Sequence, residues 1–165
     1  MSRYLIRPID GVHLSMGGMA VRLTVSSDRT SGVFAVTQHG LDARRLIPPH
    51  RHQHEDECSL VLEGTIGARV GDDELEAAPG SCILAPRGLF HAYWNPTDQP
   101  ARFLTIITPG GFERFFEQLQ HAFETDDPNV IAARRRQLGP EYGLEYEPTW
   151  IPGLLDRYGV VPLGQ

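Results

Sequence analysis

The sequence predicts a mainly β fold, a small barrel or sandwich of short strands followed by helices. Three observations favour this fold class. Thirteen prolines and seventeen glycines are scattered over 165 residues, as expected for short strands joined by tight turns. Several segments alternate apolar and polar residues, and residues 20–26 do so most clearly. After Pro109-Gly110-Gly111 the apolar residues recur at helical spacing instead.

The strand segments follow one another at turn-separated intervals. In residues 20–26, Val21, Leu23 and Val25 share one face and polar residues share the other. Gly71-Asp72-Asp73 has the composition of a hairpin turn. Regularly spaced short strands with such punctuation are typical of an all-β barrel or sandwich. The predicted strands are 20–26, 33–38, 57–63, 65–70, 81–85, 91–95 and 102–108.

The helical part begins with an apolar stripe on a helix predicted over about 112–123. We expect this stripe to act as a lid over the sheet, packing on the core or on a partner subunit rather than forming a cofactor site. Asp127 and Pro128 form an N-cap and first-turn pair for a second helix that ends near Gly139. A last helical turn is predicted over 154–158. The stripe consists of Phe112, Phe115, Phe116, Leu119 and Phe123.

The chain length fits one domain with its own core, since no repeat or low-complexity linker divides it. We predict a single domain over 1–165, with the barrel at about 20–108 and a helical C-terminal extension at about 110–158. The formal net charge of −6 argues against a nucleic-acid partner, which requires a basic stripe. The only basic cluster, Arg134-Arg135-Arg136, is interpreted as the solvated face of a helix.

The cellular setting is predicted from segments that the sequence lacks. The start of the chain has no apolar run of the length of a signal peptide, and no later segment is apolar enough to span a bilayer. Only two cysteines occur, Cys58 and Cys82, so no disulfide framework is implied. We therefore expect a protein of the reducing cytoplasm without a membrane partner.

The most informative motif places His50 and His52 two residues apart, followed after four residues by Glu57. Residues two apart on a strand point to the same face, so both histidines can aim into a barrel. His91, from a later strand, supplies a third imidazole. Three imidazoles and one carboxylate suit iron, manganese, cobalt, nickel, zinc or copper. The sequence therefore predicts one divalent transition metal held by these four residues.

Two alternatives to this ligand set remain at the level of sequence. The segment around His50 and His52 also has the composition of an exposed polar loop. His52 and His54 form a second same-face pair, so His54 competes as a ligand. We prefer His50 with His52, because only that pair leaves four residues before Glu57.

The two segments resemble the motifs of the cupin family. The first matches H-x-H-x4-E-x6-G, and the second matches G-x5-P-x-G-x2-H-x3-N. The resemblance implies a small double-stranded β-helix, the cupin jelly roll, with a single metal bound by His50, His52, Glu57 and His91. One departure is Arg44, which stands where the family usually has a glycine six residues before the first histidine. That departure concerns the turn that enters the motif.

Beyond the motifs, the chain is similar to single-domain quercetin-dioxygenase-like cupins. The stretches 4–8, 108–113 and 157–160 carry this wider resemblance. It implies a metal-dependent dioxygenase, in which Glu57 doubles as a general base. Cys58-Ser59 stand where such relatives usually carry aromatic residues after the ligand glutamate. The substrate of those relatives is therefore not inferred for this chain.

Two residues near His91 are candidates for the pocket. Tyr93 and Asn95 share strand parity with His91, so both can face inward. We interpret Asn95 as a turn or structural residue. Tyr93 is either a residue of the pocket wall or a participant in catalysis. The candidate catalytic residues are therefore Glu57 and Tyr93.

Three functions remain open from the sequence. The leading one, which the resemblance implies, is a metal-dependent dioxygenase, an oxidoreductase acting on a small aromatic or enol-containing molecule. A four-ligand centre leaves positions open for substrate and oxygen, as catalytic metals require. The second is a non-redox isomerase, cyclase or lyase of a biosynthetic pathway that uses the metal as a Lewis acid. The third is a non-catalytic small-ligand-binding protein. A homodimer is expected, since pairing about a twofold axis would cover exposed sheet edges and faces.

Overall fold

The computed structural model describes residues 4–125 and 127–165, where the chain forms twelve strands and three α-helices. Met1 to Arg3, part of the start on which the absence of a signal peptide was predicted, lie outside the described residues. The strands are β1 (Val12–Ser15), β2 (Met19–Val25), β3 (Ala35–Leu41), β4 (Arg45–His52), β5 (Asp56–Glu63), β6 (Ile66–Val70), β7 (Asp73–Ala77), β8 (Cys82–Ala85), β9 (His91–Trp94), β10 (Ala101–Thr108), β11 (Leu144–Tyr146) and β12 (Val161–Pro162). The helices are α1 (Glu113–Leu119), α2 (Pro128–Leu138) and α3 (Ile151–Tyr158).

The strands form two sheets that enclose the core. One sheet has the order β1-β2-β3-β10-β5-β8, and the other has the order β11-β4-β9-β6-β7, with β12 added in parallel beside β4. Along β10 the buried residues alternate with less buried ones, and Phe103 and Ile107 point into the core. Leu41 and Ile66 meet them from the two sheets. The predicted mainly β jelly roll with C-terminal helices is confirmed.

The prediction missed β7, and its environment explains why. Four of its five residues, Asp73 to Glu76, are exposed, because β7 pairs only with β6 at the edge of its sheet. A strand exposed to water on both faces shows no apolar alternation, so only Asp73 was recognised, as part of the hairpin turn. The hairpin itself is confirmed, since Val70 pairs with Asp73 across Gly71 and Asp72.

The third strand begins later and runs further than predicted. Val33 and Phe34 belong to the preceding turn, where the Phe34 amide donates to Thr30 Oγ1 at 3.2 Å. The strand then continues through Gly40 to Leu41, because β10 pairs with it as far as Leu41. Cross-strand pairing, which a local pattern does not contain, sets both ends.

The helices follow the prediction with different boundaries. The first segment is α1 followed by a 3-10 turn over Gln120–Glu124, rather than one helix to Phe123. The second helix, α2, begins as predicted, with the Asp127 side chain accepting from the Asn129 amide at 2.9 Å. The last helix, α3, is longer than the predicted turn and begins at Ile151. None of the helices among the described residues has the length and hydropathy needed to cross a bilayer.

The turn that enters β4 shows how this chain accommodates an arginine, Arg44, where the cupin motif usually has a glycine. Arg44 adopts the left-handed conformation, with φ 58°, that a glycine adopts without strain. Its guanidinium bonds Asp98 at 2.9 Å, the Pro96 carbonyl, and the Tyr158 carbonyl at 3.4 Å. The arginine therefore accepts an unfavourable backbone conformation while its side chain ties three segments together.

Replacing Arg44 separates these two effects. Arg44→Ala loses the side-chain contacts and keeps the left-handed strain, whereas Arg44→Gly loses the contacts and relieves the strain. We expect the free energy of unfolding of the glycine variant to exceed that of the alanine variant by about 1 kcal/mol. Urea denaturation of both variants measures the difference. A glycine variant no more stable than the alanine variant would contradict the strain at this position.

A second, smaller core lies on the outer face of the sheet that carries β4 and β9. Trp94 and Leu46 are buried there against Leu154 of α3. The Trp94 ring lies so close to Gly67 that a Cβ added there would come within 2.2 Å of its Nε1. This packing holds the C-terminal helix on the barrel and fixes the outer side of the strand that carries His91.

Candidate metal centre

The four predicted ligands meet at one point in the fold. One candidate donor atom from each of His50, His52, Glu57 and His91 lies within 4.8 Å of those of the other three. His52 Nε2 is 3.4 Å from Glu57 Oε1, and His91 Nε2 is 3.6 Å from Glu57 Oε2. The structure therefore brings together the complete set derived from sequence spacing.

Three strands from the two sheets supply these side chains. His50 and His52 come from β4, and His50 lies directly across from His91 on β9. The β4–β9 register is irregular between Ile47 and His50, at two prolines that cannot donate to the ladder. Glu57 comes from β5 in the other sheet. Ligands on two packed sheets are held at fixed separations.

The outer nitrogens of the imidazoles face oxygen atoms, which orients the rings. His50 Nδ1 lies 2.7 Å from the Pro48 carbonyl oxygen, and His91 Nδ1 lies 3.1 Å from that of Leu89. A carbonyl accepts only from a protonated nitrogen, so each Nδ1 carries the hydrogen and each Nε2 presents its lone pair to the centre. Metal-binding histidines are oriented in this way in proteins generally.

The donor set fits a divalent transition metal. Nε2 of His52 and of His91 are buried without a hydrogen-bond partner, which is costly unless something else satisfies them. Burial lowers the pKa of His50 well below its ordinary value, so its imidazole is neutral, as a ligand must be. Burial opposes ionisation of Glu57, but the facing histidines, His52 foremost, outweigh it and hold its pKa well below the ordinary range.

Glu55 supports the ring of His52 from behind. Its carboxylate is largely buried, and Oε2 lies 3.6 Å from His52 Nδ1 without a hydrogen-bond partner. Glu55 therefore places a carboxylate beside the outer ring nitrogen of a predicted metal ligand.

Removing this carboxylate charge should weaken metal binding without abolishing it. For Glu55→Gln we expect a loss of about 10–100-fold in metal affinity, the range for residues that orient a ligand. Competition with a chelator of known affinity measures the change. Arg51→Gln, next to His52 on β4 but paired with Glu145 at 2.6 Å outside the centre, is the control and should keep the affinity. Unchanged affinity in Glu55→Gln would exclude this orienting role.

His54, the competing ligand at the level of sequence, lies outside the centre. It is exposed and is absent from the cluster that His50, His52, Glu57 and His91 form. Its ring packs beside Gly143, where an added Cβ would come within 2.7 Å of it. The strand ends at His52 and the backbone turns there. His54, which would share the face of His50 and His52 on a longer strand, therefore points away from the centre.

A cavity of about 70 Å³ adjoins the cluster, and His50 and Glu57 form part of its wall. Tyr93 lines it too, and its buried hydroxyl has no hydrogen-bond partner. Burial, assisted by the charge of Glu57, raises the Tyr93 pKa far above its ordinary value. The phenol therefore stays protonated and has a hydrogen to donate into the cavity. Its place in the pocket wall is confirmed, and its catalytic role stays a prediction.

The phenylalanine stripe forms the apolar side of the same cavity. Phe112, Phe115 and Phe116 line it, and Phe112 packs edge-on over His52 with ring centroids 4.2 Å apart. Phe112 and Phe115 are also part of the main core. The predicted lid is therefore core packing and cavity wall at once, and it keeps water from one side of the ligands.

Sequence reasoning missed three residues of the cavity: His39, Arg135 and Tyr146. His39 lies on β3. It is buried and stacks on Phe103, with ring centroids 4.7 Å apart. Burial lowers the pKa of His39 to about 4. His39 lies outside the two motifs, so the sequence does not indicate that it lines the cavity. Tyr146 lies on β11, a strand of three residues with no readable pattern.

The interpretation of Arg135 as solvated is wrong. Its guanidinium donates to the Leu163 carbonyl at 3.2 Å and lies 5.5 Å from the centroid of the Phe123 ring. Arg136 on the same helix is exposed, as expected. Three consecutive helical residues point in three directions about 100° apart, so one of them faces the barrel.

A larger recess, about 600 Å³, lies elsewhere among the described residues. It is lined by the N-terminal segment and by α1, with Ile6, Arg29 and Glu117 among its walls, and contains none of the predicted ligands.

Comparisons with known proteins agree with the fold and with the motif. A family model described as the cupin domain matches residues 41–107, under half of the chain. No curated protein matches the sequence. Among solved structures, KdgF from a Halomonas species has a TM-score of 0.59 at 13% identity and covers 66% of this chain and 97% of its own. A protein described as a predicted oxalate decarboxylase from Thermotoga maritima has a TM-score of 0.58 at 18% identity and covers 64% and 98%.

A third structure is more similar in sequence. The polyketide cyclase RemF from Streptomyces resistomycificus is 27% identical, with a TM-score of 0.55, and covers 66% of this chain and 79% of its own. The two structures below 25% identity establish the fold alone. The cupin-domain match over residues 41–107 includes all four predicted ligands, and the jelly roll of this chain is the fold that these structures share.

Proposed function

We propose that this chain is a metal-dependent dioxygenase acting on a small aromatic or enol-containing molecule. The observation that carries the proposal is the joining of a four-donor centre to a cavity with aromatic walls, in which His50 and Glu57 contribute to both. When bound, a divalent transition metal supplies Lewis acidity that favours the ionised form of an enol or phenol, and a redox-active metal also exchanges electrons with dioxygen. Both oxygen atoms enter the product, so no external reductant is needed.

The residues of the chain supply proton handling and orientation. Glu57 is ionised, so its carboxylate can accept the proton that an enol or phenol loses. Tyr93 stays protonated and can donate a hydrogen bond to a substrate oxygen. Phe112 and Phe116 offer the apolar surface on which a ring or alkene packs and from which water is excluded.

The size of the cavity restricts the substrate. Its 70 Å³ is well below the roughly 300–1,000 Å³ of pockets that hold drug-sized ligands. A molecule with at most one ring therefore suits the cavity better than a flavonol does. A flavonol would fit only if α1 and α2, which form part of the cavity wall, moved.

A second candidate is a non-redox cyclase or isomerase using the same centre. The likeness to the polyketide cyclase RemF favours it, because that protein is 27% identical over 66% of this chain. Here the ionised enol would attack a carbon of the same molecule, and a redox-inactive metal such as zinc would suffice.

An oxygen electrode separates the two candidates. The protein is reconstituted separately with iron, manganese, nickel, copper, cobalt and zinc, and is given flavonols and single-ring enols and phenols. The dioxygenase predicts oxygen uptake in proportion to substrate loss with at least one metal, and no turnover without oxygen. Equal substrate loss with and without oxygen would overturn the dioxygenase in favour of the cyclase or isomerase. Saturable binding without turnover would leave a non-catalytic binding protein.

The homodimer stays a prediction, and one surface is suited to it. Ile106 and Leu84 are exposed on the outer face of the first sheet, where Cys58 on β5 pairs with both of them. A twofold pairing of this face would bury an apolar strip that water otherwise contacts. Light scattering should give the mass of two chains for the natural protein and of one chain for Leu84→Asp. The mass of one chain for both proteins would contradict the dimer.

A further inference from the structure

Arg135 is a charged residue of the cavity that the proposed function does not use. Its guanidinium lines the same cavity as His50, Glu57 and Tyr93, although it comes from α2, far from the motifs in the sequence. Its bond to the Leu163 carbonyl occupies one of its five N–H donors. A side chain needed only to attach α2 to the barrel would not require a charge at this place.

The charge of Arg135 has no partner among the described residues. No aspartate or glutamate of the described ranges 4–125 and 127–165 lies within salt-bridge distance, 4.0 Å, of its guanidinium. The other arginines of α2 do not share its surroundings, since Arg134 bonds Gln137 at 2.9 Å on the outside of the helix. A half-buried cation without an anion is unfavourable for the folded state.

The environment of Arg135 shows the effect of this burial. Burial lowers the pKa of its guanidinium, although arginine stays charged at any physiological pH. The neighbouring hydroxyl of Tyr146 is neutral, because burial raises the Tyr146 pKa to about 12. No guanidinium nitrogen of Arg135 is both fully buried and without a hydrogen-bond partner, so its remaining donors are accessible to solvent or to a ligand.

We propose that Arg135 binds a carboxylate of the substrate, so that the cavity takes a small carboxylate-bearing enol or phenol. This inference rests on the proposed function for the enol or phenol oxygen, which belongs at the His50, His52, Glu57 and His91 end of the cavity. A planar guanidinium is suited to a carboxylate, which can accept two parallel hydrogen bonds from it. Tyr146, also in the cavity wall, supplies a further donor beside it.

Matched acids and amides test the charge requirement. The metal-loaded protein is titrated calorimetrically with 2-hydroxybenzoate and 2-hydroxybenzamide, and with pyruvate and pyruvamide. We expect at least one acid to bind about tenfold or more tightly than its amide, and Arg135→Met to reduce that ratio to near one. Arg134→Met, on the outer face of the helix, is the control and should keep the ratio. Equal binding of acid and amide, no binding of either acid, or a ratio that survives Arg135→Met would overturn the proposal.

Two further readouts separate this inference from a structural role and from the proposed function. If Arg135 serves the ligand, Arg135→Met should fold with an unchanged or higher melting temperature, because it removes an unpaired charge. A marked fall in melting temperature would instead assign Arg135 to the fold and overturn the proposal. Metal content is measured in the same samples. Bound metal with no preference for acids refutes the Arg135 inference alone, whereas a natural protein that binds no metal refutes the proposed function.

Discussion

Replacing His52 by alanine should remove the bound metal, while the same change at His54, two residues along, should leave it in place. His52 is buried, and its Nε2 faces Glu57 at 3.4 Å, whereas His54 is exposed outside the cluster. Losing one of four ligands should reduce affinity by more than the ~10–100-fold that orienting residues contribute. Mass spectrometry of protein purified without an affinity tag or chelator measures metal per chain.

The pair also tests which histidine register the motif uses. His54→Ala makes the same substitution as His52→Ala at a residue outside the centre. It therefore controls for the loss of a histidine as such. Circular dichroism should show a folded barrel for both variants. Full metal occupancy in His52→Ala, or loss of metal in His54→Ala, would contradict the assignment.

Asn95→Asp should be among the most destabilising single changes in the barrel. The Asn95 side chain is completely buried and donates to the carbonyl oxygens of Leu41, Asp42 and Gln99 at 3.2, 3.1 and 2.7 Å. Its own oxygen accepts from the Thr97 amide at 2.9 Å. The prediction of a structural rather than a catalytic residue agrees with these contacts, which close the loop between β9 and β10.

An aspartate there would place a carboxylate against three carbonyl oxygens. At pH 7 we expect the free energy of unfolding to fall by about 3–5 kcal/mol, as for an uncompensated buried charge. The carbonyls raise the folded-state pKa of that aspartate above its unfolded value of about 3.9, so the deficit should shrink as the pH falls towards 4. Urea denaturation at pH 7 and pH 5 measures both effects. Gln99→Ala, which changes only an exposed side chain, should stay within about 0.5 kcal/mol of the natural protein. A deficit that does not depend on pH would contradict the electrostatic cause.

The metal cluster was predictable because it depends on local spacing. His50 and His52 lie on one face of a strand by parity, and Glu57 follows within a few residues. The position of His91 required in addition the motif that places it on a later strand. What parity alone did not provide is the turn after His52, which excludes His54 and places Glu55 behind the His52 ring at 3.6 Å.

The residues that sequence reasoning missed share one property: they reach the cavity through tertiary packing. Arg135 belongs to a run of three arginines whose composition indicates a solvated face, and only the docking of α2 decides which one turns inward. His39 lies on β3, and its burial depends on the ring of Phe103 across the strand pair. The edge strand β7 was missed for the opposite reason, since four of its five residues are exposed and only Ala77 packs on the core.

Anomalous X-ray diffraction from crystals of the metal-loaded protein tests the central claim most directly. Data collected at the absorption edge of the bound metal should show one strong peak per chain. The peak should lie about 2.0–2.2 Å from Nε2 of His50, His52 and His91 and from a carboxylate oxygen of Glu57, the usual bond lengths for such ligands. A peak at His54 or on the surface, or no peak in protein that other methods show to be loaded, would contradict the proposed metal centre.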